Sequence, residues 1–185
     1  MKIGITGHTK GIGKSLYDLL TRDNQVIGYT RSTGFDIGDP TVRDRIVSEC
    51  KDCDIFINNA YHPEGQQILL EQFIAQWTGT DKIIINIGSK IHFKPYVLGK
   101  YSQSKFQMQR IINQRMWQDL SPRIMNLSLD VVDTEMTINY NADFKLAPDT
   151  LASFIVTMLQ YKDTIWVEDM VVRDPRRKTN DNLFN

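Results

Sequence analysis

Tyr101 and Lys105 stand four residues apart in the stretch Tyr-Ser-Gln-Ser-Lys, a spacing that puts both side chains on one face of a helix. A phenol exchanges protons near neutral pH only if its pKa falls well below ~10, and a fixed ammonium nearby favours the phenolate. Ser89 follows the apolar run Lys82 to Ile87 (KIIINI), so its hydroxyl sits at a strand end and can hydrogen-bond the same substrate oxygen. A second constellation lies near the N-terminus, where the apolar run Ile3 to Thr6 breaks into Gly7, Gly11 and Gly13 and resumes at Ile12 and Leu16. That pattern reads as a strand, a tight turn and a helix N-terminus. Glycines let the main chain approach a diphosphate with bare N–H groups and the positive end of a helix dipole. His8, Thr9 and Lys10 lie within this turn, and His8 can touch phosphate.

Each of these groups needs an element to hold it. Helical spacing of Ile12, Leu16, Leu19 and Leu20 predicts a helix from about Gly11 to Arg22, stopped by Asp23-Asn24. Gln25 to Thr30 (QVIGYT) is a short strand. Asp39 can cap, and Pro40 can open, a helix with the buried stripe Val42, Ile46 and Val47. Asp54 to Asn58 (DIFIN) and Lys82 to Ile87 are nearly all apolar, as buried parallel strands are. Gln66 to Trp77 and about Gly99 to Asp119 read as helices, and Arg123 to Leu129 as a strand. Pro148 to Tyr161 is the last helix, and Thr164 to Val172 supplies the final strand material. The alternation predicts a Rossmann-type α/β fold, a doubly wound and mostly parallel sheet of about six strands with helices on both faces. Residues 1–175 are expected to form one domain and residues 176–185 a frayed tail.

In such sheets, ligands bind outside the carboxyl ends of the strands. Those ends carry Gly7-His8, Arg31, Asn58-Asn59-Ala60, Ser89 and the segment Asp130 to Thr134. Gly13-Lys14-Ser15 looks like the end of a triphosphate-binding loop, but the earlier glycine that loop requires falls on His8. Cys50 and Cys53 form a lone C-x-x-C with no second pair and no histidine at ligand spacing. Reduced thiols, and no metal site, are expected.

The joint pattern resembles the short-chain dehydrogenase/reductase family. Thr6-Gly7-x-x-x-Gly11-Ile12-Gly13 looks like its cofactor turn, and Asn58-Asn59-Ala60 matches most of its Asn-Asn-Ala-Gly strand end. Asp36-Ile37 looks like its adenine-contacting Asp-Val. Gly88-Ser89 followed by Tyr101-x-x-x-Lys105 is similar to its catalytic serine, tyrosine and lysine, and Thr134 resembles the threonine of a later cofactor-contacting motif. The resemblance implies hydride transfer between a nicotinamide and a small carbonyl/alcohol pair. Tyr101 would exchange the proton, Lys105 would lower its pKa and hold the nicotinamide ribose, and Ser89 would position the carbonyl. It also implies a homodimer or homotetramer, since the family often dimerises through the equivalent of the 99–119 helix.

Charge selects the cofactor. A carboxylate about 20 residues beyond the glycines would bind a free ribose 2′-hydroxyl, whereas an Arg accommodates a 2′-phosphate. Here the second strand ends in Arg31-Ser32, and Lys10 adds charge on the same side. NADP(H) is therefore preferred, with NAD(H) as the lesser option. Several positions depart from the family. Tyr61 stands where it has glycine, its further catalytic asparagine has no evident counterpart between Tyr61 and Lys82, and Leu129-Asp130 replaces a Pro-Gly pair. One strand–helix unit is trimmed, since only Ser32 to Phe35 separate the second strand from Asp36. These departures favour, as an alternative, a dinucleotide-binding sensor without turnover. A nucleotide-sugar epimerase or reductase of the extended family lacks the C-terminal chain for its sugar subdomain.

The bulk numbers exclude other classes. With 22 basic and 22 acidic residues there is no net charge to attract nucleic acid or an anionic membrane. No apolar segment approaches the ~20 residues of a spanning helix, and a strand starting at Lys2 leaves no room for a signal peptide. A cytoplasmic protein is expected.

Overall fold

The structure is a computed structural model that describes residues 1–93, 99–118 and 121–177. Six parallel strands alternate with five helices: β1 (Lys2–Thr6), α1 (Gly11–Leu20), β2 (Gln25–Tyr29), α2 (Pro40–Glu49), β3 (Ile55–Asn58), α3 (Gly65–Gln76), β4 (Ile83–Ser89), α4 (Lys100–Met116), β5 (Arg123–Leu129), α5 (Pro148–Gln160) and β6 (Asp169–Val172). The strand order is β2-β1-β3-β4-β5-β6. The chain reverses direction across the sheet between β1 and β3, so the switch point that hosts ligands in this architecture lies at their carboxyl ends. Among the described residues no strand lies outside β2, which forms an edge of the sheet. This is the trimmed unit that the short Ser32 to Phe35 link implied.

Helix bounds follow local chemistry. Asp39 accepts from the Thr41 N–H at 2.8 Å and Pro40 occupies the first turn of α2, an N-terminus that suits both residues. α1 ends at Leu20, two residues before the expected stop, and β6 is confined to Asp169–Val172 because Thr164 and Ile165 close a turn onto Tyr161. The expected end of α4 at Asp119 lies outside the described residues.

Alternation along the strands separates two cores. Ile3, Ile5, Ile55, Ile57, Ile85 and Leu127 face α1 and α5, whereas Phe56, Ile84 and Ile124 face α2, α3 and α4 through Ile46, Phe73 and Met108. The second face also buries a row of amides. Asn58 is in register with Asn86, Asn86 with Asn126, and Asn126 with Asp169. Asn58 Nδ2 donates to Asn86 Oδ1 at 3.2 Å, and Asn86 Nδ2 to Asn126 Oδ1 at 2.8 Å. Asn126 Nδ2 then donates to Asp169 Oδ1 and Gln109 Oε1, each at 2.8 Å.

Arg176 and Arg177, where the expected tail begins, are engaged with the fold. Arg176 forks onto Asp174, Arg177 donates to Asp130 at 2.5 Å, and their guanidiniums stack over Phe144 and Tyr140. Residues 178–185 lie outside the described part. Among the described residues, no helix is long and apolar enough to cross a membrane.

Removing the middle amide orphans its buried neighbours, each at a cost of about 1–3 kcal/mol. Asn86→Val is expected to lower the unfolding free energy by that order, read as a lower urea midpoint, and a midpoint equal to wild type would show that the row carries no stability.

Candidate active site

The glycine turn is built by exclusion. Gly7 and Gly11 have φ of 70° and 53°, where only glycine is unstrained. A Cβ on Gly13 would lie 2.1 Å from the Gly7 carbonyl oxygen, so the turn closes only without a side chain. α1 then starts with no side-chain cap and no acidic residue in its first turn. Its first N–H groups and the positive end of its dipole are left for an anion. A dinucleotide diphosphate fits this cradle.

Residues expected to line the cradle divide into two groups. Asn59 organises it: its Nδ2 donates to the Thr6 and Gly7 carbonyls at 2.9 and 3.3 Å, while the Asn59 and Ala60 N–H groups both donate to Thr6 Oγ1 at 3.0 Å. Thr9 Oγ1 meets Thr30 Oγ1 at 3.3 Å, which fastens the turn to the end of β2. Thr134 lies against the turn, its Cγ2 being 2.9 Å from where a Gly11 Cβ would be. Ile12 packs against the α1-side core, and Arg31 is exposed with no ion pair among the described residues.

Five others are placed differently from expectation. The Asn58 side chain is fully buried in the amide row and donates to the Gln66 carbonyl at 2.9 Å, so it supports the sheet instead of reaching a ligand. The His8 ring turns inward, stacking on Tyr17 at 4.8 Å and filling the space that Gly28 leaves open on β2. Ile37 is core, and Asp36 spends a carboxylate oxygen on the Gly38 N–H at 2.9 Å. Buried Arg43 pins this segment by donating to the Ile37 and Gly38 carbonyls at 2.8 and 3.0 Å. Lys10 is paired with Glu135 at 2.7 Å in an ion pair exposed on both sides, a weak contact that a phosphate can displace.

Ser89 ends β4, Tyr101 lies in the first turn of α4, and Lys105 follows one turn later. The strand and helix bring the three together, with Tyr101 hydrogen-bonded to Ser89. The electrostatics differ from the simple expectation. Burial pushes the Tyr101 phenol above its ordinary value, opposed by the Ser89 hydrogen bond. Lys105 is buried, and that burial holds its amine down at about 7. A lysine so weakly charged at neutral pH does little to draw a proton off the phenol, and Tyr101 stays protonated.

Gln66 was not singled out by its sequence position. From the first turn of α3 its Oε1 accepts from Lys105 Nζ at 2.7 Å, and its Nε2 donates to the Asn58 and Ile87 carbonyls at 3.0 and 3.2 Å. Lys105 Nζ also donates to the Ile87 carbonyl at 3.0 Å. Where a family asparagine had no counterpart, this glutamine supplies the amide beside the lysine. The available signal was a glutamine opening the buried stripe Gln66, Leu69, Leu70 and Phe73. Cys50 and Cys53 are buried free thiols, and Cys50 Sγ donates to the Tyr29 hydroxyl at 3.4 Å. Among the described residues, no group of three or more His, Cys, Asp or Glu could hold a metal ion.

Comparison with known proteins defines the fold. No family model and no curated protein sequence matches the chain. Solved structures do. A short-chain dehydrogenase from Burkholderia cenocepacia J2315 in complex with NADP is 19% identical, with TM-score 0.77 over 94% of this chain and 88% of that one. The alcohol dehydrogenase of the archaeon Thermococcus sibiricus, complexed with 5-hydroxy-NADP, is 15% identical with TM-score 0.75 over 97% and 99%. The 3-alpha-hydroxysteroid dehydrogenase of Pseudomonas sp. B-0831, complexed with NADH, is 18% identical with TM-score 0.72 over 93% and 94%. The chain therefore has the short-chain dehydrogenase/reductase fold, a Rossmann-type α/β sheet.

Burial of Lys105 also links stability to pH. Its amine titrates near 10.5 when unperturbed and at about 7 in the fold, so the unfolded chain binds the extra proton between those values and stability rises with pH across that window. Lys105→Met removes this contribution. Its urea midpoint is expected to gain on wild type as pH falls from about 10 to about 7, and a pH-independent difference would contradict the buried amine.

Proposed function

We propose that this chain is a nicotinamide-dinucleotide-dependent oxidoreductase that interconverts a small carbonyl compound and its alcohol, with NADP(H) preferred over NAD(H). The observation that carries the reading is the meeting of Ser89, Tyr101 and Lys105 on the fold whose solved examples include complexes with NADP, NADH and 5-hydroxy-NADP. The uncapped start of α1 and the Gly7–Gly13 turn would hold the diphosphate. Exposed Arg31 would meet a 2′-phosphate, and because Lys10 is shared with Glu135 the preference rests chiefly on Arg31.

When bound, the nicotinamide supplies or accepts the hydride; the chain manages the proton. Tyr101, kept protonated by burial, donates its hydroxyl proton to the developing alkoxide, and Ser89 orients the carbonyl oxygen towards it. This protonation state favours the reductive direction at neutral pH. Lys105, held by Gln66 and Ile87, stabilises the phenolate that Tyr101 leaves when its own amine carries a proton. A homodimer or homotetramer through the outer face of α4, where Phe106 is 41% exposed, belongs to the same proposal.

NADPH oxidation with a panel of aldehydes and ketones tests the reading. Tyr101→Phe is expected to reduce turnover by about 10²-fold or more while NADPH affinity stays within about twofold of wild type. Binding without turnover on any carbonyl would instead favour a dinucleotide sensor, a reading that the Tyr61 ring beside Lys105 motivates. For the cofactor, Arg31→Asp is expected to weaken NADPH about tenfold or more and NADH far less, the order of a lost charge-assisted contact. Equal losses for both would remove Arg31 from the preference.

A further inference from the structure

Tyr61 is the one aromatic group at the site with no part in the proton chemistry. It belongs to the irregular segment between β3 and α3, at a position where the resembled family carries glycine. Its ring meets Tyr101 edge-on, with centroids 4.9 Å apart and planes at 67°. Lys105 Nζ lies 5.6 Å from the centroid of each ring. On its other side the amine donates to Gln66 Oε1 and the Ile87 carbonyl at 2.7 and 3.0 Å. Lys105 is thus enclosed by two carbonyl-type acceptors and two aromatic rings, and only 5% of the residue is exposed.

When the Lys105 amine is protonated it has three donors, of which two are occupied here. The third, the one a ligand hydroxyl could use, lies behind the two tyrosines. Tyr101 is held by α4 and by Ser89. Tyr61 is half-buried, lies outside any helix or strand, and has a hydroxyl without a hydrogen bond among the described residues. Of the two rings it is the one free to leave.

We propose that Tyr61 is a gating and specificity-determining residue, its ring sealing Lys105 until a dinucleotide displaces it. The inference rests on the dinucleotide reading above. Displacement forfeits the contacts with Lys105 and Tyr101, so part of the binding energy of any dinucleotide is consumed in opening the site. Ligands that do not reach Lys105 gain nothing from opening it.

The test is NADPH binding by calorimetry to wild type, Tyr61→Phe and Tyr61→Gly, with Tyr61→Ala in reserve if glycine loosens the segment. A second readout, taken without dinucleotide, is the pH titration of Lys105 by NMR of 13C-labelled lysine, assigned with Lys105→Met. Tyr61→Gly is expected to bind NADPH about tenfold more tightly, the order of a cation–π plus an edge-on ring contact. Its Lys105 should titrate well above the wild-type value, while Tyr61→Phe matches wild type in both. Unchanged or weaker NADPH binding by Tyr61→Gly overturns the gate, whatever Lys105 does. If no variant binds either dinucleotide, the oxidoreductase reading fails and the gate fails with it. If all bind equally, only the gate fails.

Discussion

One carboxamide holds the ligand end of this protein together. Asn59 reaches from the end of β3 to two carbonyls at the end of β1, while the adjacent N–H groups close onto Thr6 Oγ1. This clasp lies at the switch point, where parallel strands diverge and a crevice opens. The Gly7 backbone cannot drift because Asn59 holds its carbonyl, and Gly13 can approach that carbonyl only because it lacks a Cβ. The start of α1 is therefore aimed by contacts made on neighbouring strands. The geometry of this candidate anion site is set by the sheet as much as by the helix.

The proton-handling end obeys a different constraint. Placing a lysine in the core costs hydration, and the structure offsets that cost with neutral acceptors, the Gln66 amide and the Ile87 carbonyl. With no carboxylate partner, the amine remains close to neutrality in its titration. Tyr101 sits beside it with its own proton retained by burial. Burial thus moves the two groups apart on the pH scale, the phenol upward and the amine downward, so that each is biased towards its neutral form.

Much of this was legible because it was local. Glycines at close intervals, a Tyr–Lys pair one helical turn apart and a serine ending an isoleucine-rich run each declare a geometry within a few residues. The missing outer strand followed from the short Ser32 to Phe35 link. What could not be read were contacts made across the fold. Gln66 meets a lysine 39 positions away, and nothing in its neighbourhood announces that partner. His8 turns inward because Gly28, on another strand, makes room for it. Asn58 shares the face of Phe56, two residues earlier, so strand parity already directed it to the sheet and not the crevice. Arg176 and Arg177 acquire order only from Asp174, Asp130 and two rings brought near by folding.

The amide row has a further consequence for how the sheet finds its pairing. β4 reads Ile-Ile-Ile-Asn-Ile, and β3 pairs isoleucine or phenylalanine with most of it. Sliding one strand by two residues would keep every side chain on its own face and still match branched aliphatic groups with one another. Such slipped sheets are close in hydrophobic energy to the native one. The asparagines tell them apart between β3 and β4, because a shift by two sets Asn58 against Ile84 or Asn86 against Phe56. Three polar residues in an otherwise oily strand set act as alignment marks, converting a nearly degenerate choice of pairings into a single answer.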